Sequence, residues 1–428
     1  MKMQDSLIIT ALDLGTTKIV AVIAEVDAEN KINVKGVGES VAYGLENGLI
    51  KDMKKASDSI RTAVEIAEKI AGIEAENIYA GISGEHIDCC NADGSTSIDL
   101  LDDNEAGEVS EEYIKRAIED AKRNVGVQQQ ANKNIKIMHC IPQLFEVDNQ
   151  KKILNPLNMT GYHLGVCTHV ITADKNAVAN IEKCIEMAGF KAHEIVVGQV
   201  AATEAVLSED EKTLGCVLLD IGGGTIDLSF YCEQYLHYTA VIPFGGRDID
   251  KDLSAVLCSS IADAEVVKTE KGKALGRKVT DNDEIKVSGV SGRSSSIHNV
   301  RFITDIIEVR MRKMFETAYN SIKENYESKI FLAGLTLTGG SALLSNIDEL
   351  AEEVFNMRTT IGYPDISGLR GATGKLENPV YTVSVGLLYY AGKNLPASFP
   401  DSVKKKSKNS NGFFRLIKEI FLKIIHSV

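Results

Sequence analysis

Two aspartates, each followed two residues later by a glycine turn, are the groups in this sequence best spaced for chemistry. Residues 218–229 read Leu-Leu-Asp-Ile-Gly-Gly-Gly-Thr-Ile-Asp-Leu-Ser, an apolar strand, a glycine turn and a second strand. Gly222, Gly223 and Gly224 carry no Cβ, so the backbone can bend sharply and expose its N–H groups as a concave anion site. Thr225 completes the turn. Asp220 is placed to hold a hydrated Mg²⁺ against phosphates there. Residues 11–22 repeat the layout, with Asp13 in the place of Asp220 and Gly15 in that of Gly222, followed by Thr16, Thr17 and Lys18. One such turn reads equally well as a hairpin with no ligand. Two copies suggest a duplicated fold with the hairpins facing each other across a cleft.

Three further stretches fit the same cleft. Leu337-Thr338-Gly339-Gly340-Ser341 lies between an apolar strand and an expected helix over 343–355, and a helix start behind glycines can receive a phosphate or nucleoside. Glu265 and Lys268 are three apart and share a helical face; the plain alternative is a surface ion pair. Pro243-Phe244-Gly245-Gly246 is a permissive turn after the second hairpin.

The elements that must carry these residues follow from periodicity. Strands are expected over 7–14, 18–26 and 32–42, and a helix over 52–71 closed by Gly72. Residues 77–83 read as a strand. Between 84 and 165 the pattern changes to that of an inserted α+β domain. It holds a helix over 111–124 capped by Ser110, a polar loop over 125–134, and a strand over 135–147 that Pro142 puts at an edge or a bulge. A strand over 166–173 then returns to the first half. Helices follow over 174–188 and 199–207, strands over 216–242, helices over 247–259, 262–271 and 302–325, a strand over 331–338, and a last helix over 380–392.

A chain of 428 residues with 44% apolar content should form two or more domains with substantial cores. The net charge of −13 argues against general nucleic-acid binding. The eight cysteines show no C-x-x-C spacing and suggest free thiols in a reducing, cytoplasmic setting. No signal peptide and no spanning segment is apparent.

Together these motifs resemble the actin-like ATPase superfamily. The resemblance implies an α/β fold of two duplicated halves around a nucleotide cleft that binds ATP with Mg²⁺. It makes Gly15–Lys18 the first phosphate loop, residues 222–225 the second, and Gly339, Gly340 and Ser341 the adenosine loop. Asp13 and Asp220 would hold Mg²⁺ through water, and Glu265 and Lys268 would touch the nucleoside. In actin, the chaperones and the rod-shape filament proteins, an extra subdomain follows the third strand. Here that connection is about ten residues, 43–52, and the extra 80 residues follow the first helix and a strand. That placement is similar to the FtsA family and its PilM relatives. The wording of 79–86 (Tyr-Ala-Gly-Ile-Ser-Gly-Glu-His) and 139–143 (His-Cys-Ile-Pro-Gln) agrees. Where the chaperones carry Glu-Pro before an alanine run, this chain has Gly198-Gln199-Val200-Ala201-Ala202. Gln199 is a weak catalytic candidate, and hydrolysis is expected to be slow or absent.

The resemblance divides the chain into subdomain 1A at 1–83 and 166–196, inserted subdomain 1C at 84–165, 2A at 197–232 and 301–379, 2B at 233–300, and a closing 1A helix at 380–393. A flexible basic linker at 394–411 and an amphipathic helix at 412–428 follow. Phe413, Ile417, Ile420, Phe421 and Ile424 form one face of that helix, flanked by Phe414, and Lys404, Lys405, Lys406 and Lys408 precede it. This pattern suits the headgroup region of an anionic membrane, or else docking on a protein. For an FtsA-like chain the implied partners are the FtsZ C-terminal tail, with Arg301 a candidate contact, further copies of the chain, and later divisome membrane proteins. The alternatives are a PilM-like pilus adaptor and a small-molecule kinase of the same superfamily.

Overall fold

The computed structural model describes residues 6–100, 105–128, 134–280, 283–290, 293–326 and 333–395. The expected linker and amphipathic tail, from 396 onward, lie outside the described residues.

The chain opens with three antiparallel strands, β1 (Leu7–Leu14), β2 (Lys18–Val26) and β3 (Ile32–Val41). A small hairpin, β4 (Leu45–Glu46) and β5 (Leu49–Ile50), leads to α1 (Met53–Ala71). The side chain of Asp52 caps α1 through the Lys55 N–H, and Gly72 ends it at φ 70°, a left-handed turn open to glycine. Gly36 and Gly38 let β3 approach α1: a Cβ on Gly38 would lie 2.0 Å from the Ala63 carbonyl oxygen. Then comes β6 (Ile78–Ile82).

The insertion holds β7 (Ile87–Ser97), β8 (Gly107–Glu108), α2 (Glu111–Gln128), β9 (Ile135–Val147), β10 (Gln150–Ile153), β11 (Thr160–Gly161) and β12 (His163–Asp174). Its main sheet runs β10-β9-β12-β7, and α2 covers one face to build a separate core around Ile114, Ile118, Phe145 and Val170. Two expectations are corrected here. Helix α2 runs on to Gln128, into the stretch read as a loop. The strand expected to return to the first half at 166 is part of β12, which pairs along its length with β7 and β9, so the inserted sheet continues to Asp174. Pro142 does sit at a bulge, at the register shift opposite Cys167 and Thr168.

Asp174 caps α3 (Lys175–Met187), followed by β13 (Ala192–Val197), α4 (Gly198–Val206) and α5 (Glu209–Leu214). The second half repeats the first: β14 (Cys216–Ile221), β15 (Ile226–Cys232) and β16 (Tyr235–Ile242) form an antiparallel meander. Helices α6 (Gly246–Leu257) and α7 (Ile261–Lys271) precede the pair β17 (Glu284–Val287) and β18 (Ser296–Asn299), and the long α8 (Val300–Tyr326) follows. Next are β19 (Gly334–Thr338), α9 (Ile347–Phe355), β20 (Thr359–Ile361), β21 (Leu369–Gly371) and α10 (Thr382–Lys393).

The duplication is visible in the strand orders. One sheet runs β3-β2-β1-β6-β13 and the other β16-β15-β14-β19-β20. In each, a three-stranded meander is extended by two parallel strands. Each half has its own apolar core. Two more boundaries shift. β16, placed by sequence in the 233–300 unit, belongs to the second sheet, and β21, placed in the 301–379 unit, adds to β3 on the first.

Candidate functional site

The turns β1–β2 and β14–β15 meet face to face. A Cβ on Gly223 would lie 2.3 Å from the Thr17 methyl carbon, and one on Gly224 would lie 2.8 Å from that of Thr16. Only glycine fits where the two loops touch. The second loop is buttressed from behind. The Gly246 and Arg247 N–H groups donate to the carbonyls of Gly222 and Gly223 at 2.9 and 2.8 Å, and the Ser341 hydroxyl donates to the Gly222 carbonyl at 3.3 Å. Gly339, at φ 84°, leaves room for Asp220, whose Oδ1 would lie 2.2 Å from a Cβ there.

Between the hairpins lies a cleft of about 780 Å³. Among the residues expected from sequence, its lining includes Asp13, Gly15, Thr16, Thr17, Lys18, Asp220, Gly222, Gly223, Thr225, Gly246, Glu265, Lys268, Gly339, Gly340 and Ser341. Gly224 and Gly245 stand behind it, against the opposite hairpin and the Gly223 backbone. Gly339 opens onto a single 3-10 turn, Gly340–Leu343, and α9 begins only at Ile347. The long helix expected from 343 is therefore divided. Glu265 and Lys268 do not pair with each other in the described contacts. The Lys268 ammonium lies 2.7 Å from Asp250 Oδ1 and donates to the Gly246 carbonyl at 3.1 Å.

Three carboxyls share the floor of the cleft. Asp220 and Asp227 are directly opposed on β14 and β15 and are both buried; Asp13 faces them from β1. Burial pushes Asp13 up to about 7 against the pull of Lys18. Burial pushes Asp227 up to about 7 too, with Asp13 adding to it and a hydrogen bond from Ser83 opposing it. Asp220 is raised well above the carboxylate range by burial, then by the charges of Asp227 and Asp13. Buried acids this close stay ionised together only beside a cation. An oxygen-rich cluster next to exposed loop N–H groups suits a divalent ion carried with phosphates.

Beyond Asp13, Asp220 and Glu265, the acids expected from sequence, Asp227 also lines the cleft, and Ser83 Oγ donates to its Oδ1 at 2.5 Å. The signal was a lone acid on an apolar strand, opposite Asp220. Gln199 is buried behind it, its amide 3.4 Å from both Asp227 Oδ1 and the Ala240 carbonyl. It lies outside the residues lining the cleft and backs Asp227. Glu39, Ser83, Arg247 and Asp250 were missed as well. Arg301 stands on α8, away from the cleft lining, paired to Asp305 at 3.1 Å.

The duplicated sheets and facing hairpins define an actin-like ATPase fold. Solved structures agree on the fold. The chain matches a PilM–PilN type IV pilus biogenesis complex at a TM-score of 0.63, with 15% identity, over 90% of this chain and 98% of that one. It matches MreB5 of Spiroplasma citri bound to ADP at 0.50, with 14% identity, over 94% and 99%. Within that class, family models for the cell division protein FtsA and for the SHS2 domain inserted in FtsA match residues 217–386 and 84–172. The second ends near the close of β12, in line with the longer insertion. Curated cell division proteins FtsA are similar over nearly the whole length: 34% identity with that of Neisseria meningitidis serogroup B (95% of this chain, 96% of the relative), 32% with that of Pseudomonas aeruginosa (95% and 95%) and 30% with that of Escherichia coli K12 (96% and 96%). The chain belongs to the FtsA family of cell division proteins.

Proposed function

We propose that this protein is an ATP-binding adaptor of cell division. It ties the FtsZ C-terminal tail to the inner face of the membrane, assembles with its own copies and recruits later divisome proteins. The observation that carries the nucleotide part is the pair of glycine hairpins meeting over three carboxyls. Asp13 and Asp220 would hold Mg²⁺ through water, with Asp227 beside them. The ion would neutralise phosphate charge. The loop N–H groups of 15–18 and 222–225 would bind phosphate oxygens, and Gly339–Ser341, Glu265 and Lys268 would line the nucleoside end. Gly198, at the start of α4, offers no carboxylate, and Asp227 Oδ1 is engaged by Ser83 and Gln199. Turnover should lie far below the ~10 s⁻¹ typical of enzymes. Arg301 at the start of α8 remains the candidate contact for the FtsZ tail. The apolar spacing of Phe413, Ile417, Ile420, Phe421 and Ile424, behind four lysines, supports membrane attachment; no helix among the described residues is long and apolar enough to cross a membrane.

Titration calorimetry tests the cleft. The wild-type protein should bind Mg-ATP. Gly223→Asp sets a carboxylate against Thr17 and against the phosphates, so binding should be lost while the far-ultraviolet circular dichroism is kept. A folded variant that binds Mg-ATP like wild type removes the basis of the assignment.

A further inference from the structure

An acid lines a cavity suited to anions. Glu39, on β3, shares the cleft wall with the phosphate-loop residue Lys18. The register explains how they meet: Asp13 lies opposite Val20, and Val20 opposite Glu39, so all three share one sheet face. Lys18, two residues before Val20, projects on that face too. Its ammonium is committed to the Glu39 side, 3.2 Å from Oε2 and 4.1 Å from the centre of the Tyr381 ring. Glu39 is itself braced. The Tyr381 hydroxyl donates to its Oε1 at 2.6 Å, and the Lys375 ammonium stands 3.6 Å from the same oxygen. Although burial works the other way, the Tyr381 hydroxyl, Lys18 and Lys375 hold Glu39 below its ordinary value, so it is charged at neutral pH.

A bare carboxylate here would repel a polyphosphate. Its bracing gives it a different part. We infer that Glu39 is a positioning residue that competes with the nucleotide phosphates for Lys18, with Lys375 and the Tyr381 hydroxyl keeping Glu39 satisfied once Lys18 has moved to phosphate. This rests on the nucleotide reading of the cleft. It gives the loop an affinity threshold set by phosphate charge: a ligand with more phosphate charge draws Lys18 away, and a nucleoside does not.

The test is calorimetric affinity for Mg-ATP and for adenosine in wild type, Glu39→Gln, Glu39→Asp, Lys18→Gln and the Lys18→Gln/Glu39→Gln double variant. Glu39→Gln should tighten Mg-ATP roughly threefold or more and leave adenosine unchanged. Glu39→Asp keeps the charge but withdraws it from Lys18, and should show a smaller gain. In the Lys18→Gln background the gain should shrink. An equal gain in both backgrounds would mean that Glu39 acts by charge repulsion alone and overturns the inference, as would weaker Mg-ATP binding by Glu39→Gln. Equal changes for ATP and adenosine would assign the effect to folding and overturn it too. Wild type that binds neither ligand overturns the nucleotide reading and this inference with it; wild type that binds both while Glu39→Gln matches it overturns only this inference.

Discussion

Asp13, Asp220 and Asp227 hold protons more tightly in the folded chain than an exposed aspartate does, because burial disfavours their charged forms. Between pH about 4 and about 7 the folded state therefore binds more protons than the unfolded state, and stability should fall as pH rises through that window. A divalent cation should reverse the fall. With a chelator present, these carboxyls should lower the melting temperature at pH 7.5 relative to pH 5, and they do so against His169 and His86, whose depressed values make stability rise with pH through about 6.5. Added Mg²⁺ should raise the melting temperature more at pH 7.5 than at pH 5. Equal Mg²⁺ effects at the two pH values would count against a cation among these carboxyls. Asp13 and Asp220 were legible in the sequence because each precedes a glycine turn. Asp227 has no comparable signal in the sequence, because only the β14–β15 register puts it opposite Asp220. Glu39 could not be found by spacing, because its brace Tyr381 is 342 residues away.

Among the elements, local signals served well where the cause is local. Asp52 and Gly72 bound α1 as expected, and the first two strands begin and end where the apolar runs do. What periodicity could not supply is which sheet a strand joins. The 166–173 run is apolar enough for either sheet, but its partners are the distant β7 and β9. The insertion also reaches the second half through β16. Gln143 donates to the Leu236 carbonyl at 2.6 Å, Cys89 Sγ to the Thr239 carbonyl at 3.0 Å, and His169 Nε2 lies 3.1 Å from Thr239 Oγ1. Burial pushes His169 down to about 3, so this seam holds a neutral imidazole at physiological pH. Gln143→Ala strands the Leu236 carbonyl at a buried contact and should cost about 1–3 kcal/mol. Urea unfolding measures it, and a loss under a few tenths of a kcal/mol would show that the seam carries little.

For the molecule as a whole, duplication was the most legible feature, since two hairpins in one sequence imply two sheets with one strand order, and the sheets have it. That the hairpins face each other was expected, but the contacts that hold the halves closed were not legible. Closure depends on glycine contacts across the cleft and on Arg247, whose guanidinium reaches the Thr16 carbonyl at 3.5 Å. An adaptor of this design should keep its nucleotide cleft and its membrane attachment separable, because the tail lies beyond the closing helix α10. The most direct measurement of the adaptor claim is co-sedimentation of FtsZ with anionic liposomes in the presence of this protein and Mg-ATP. The account predicts that wild type brings FtsZ into the pellet. Ile420→Glu, which puts a carboxylate in the centre of the tail's apolar face, should leave FtsZ in the supernatant while still binding ATP. FtsZ that stays in solution with wild type, or that pellets equally well with Ile420→Glu, would contradict it.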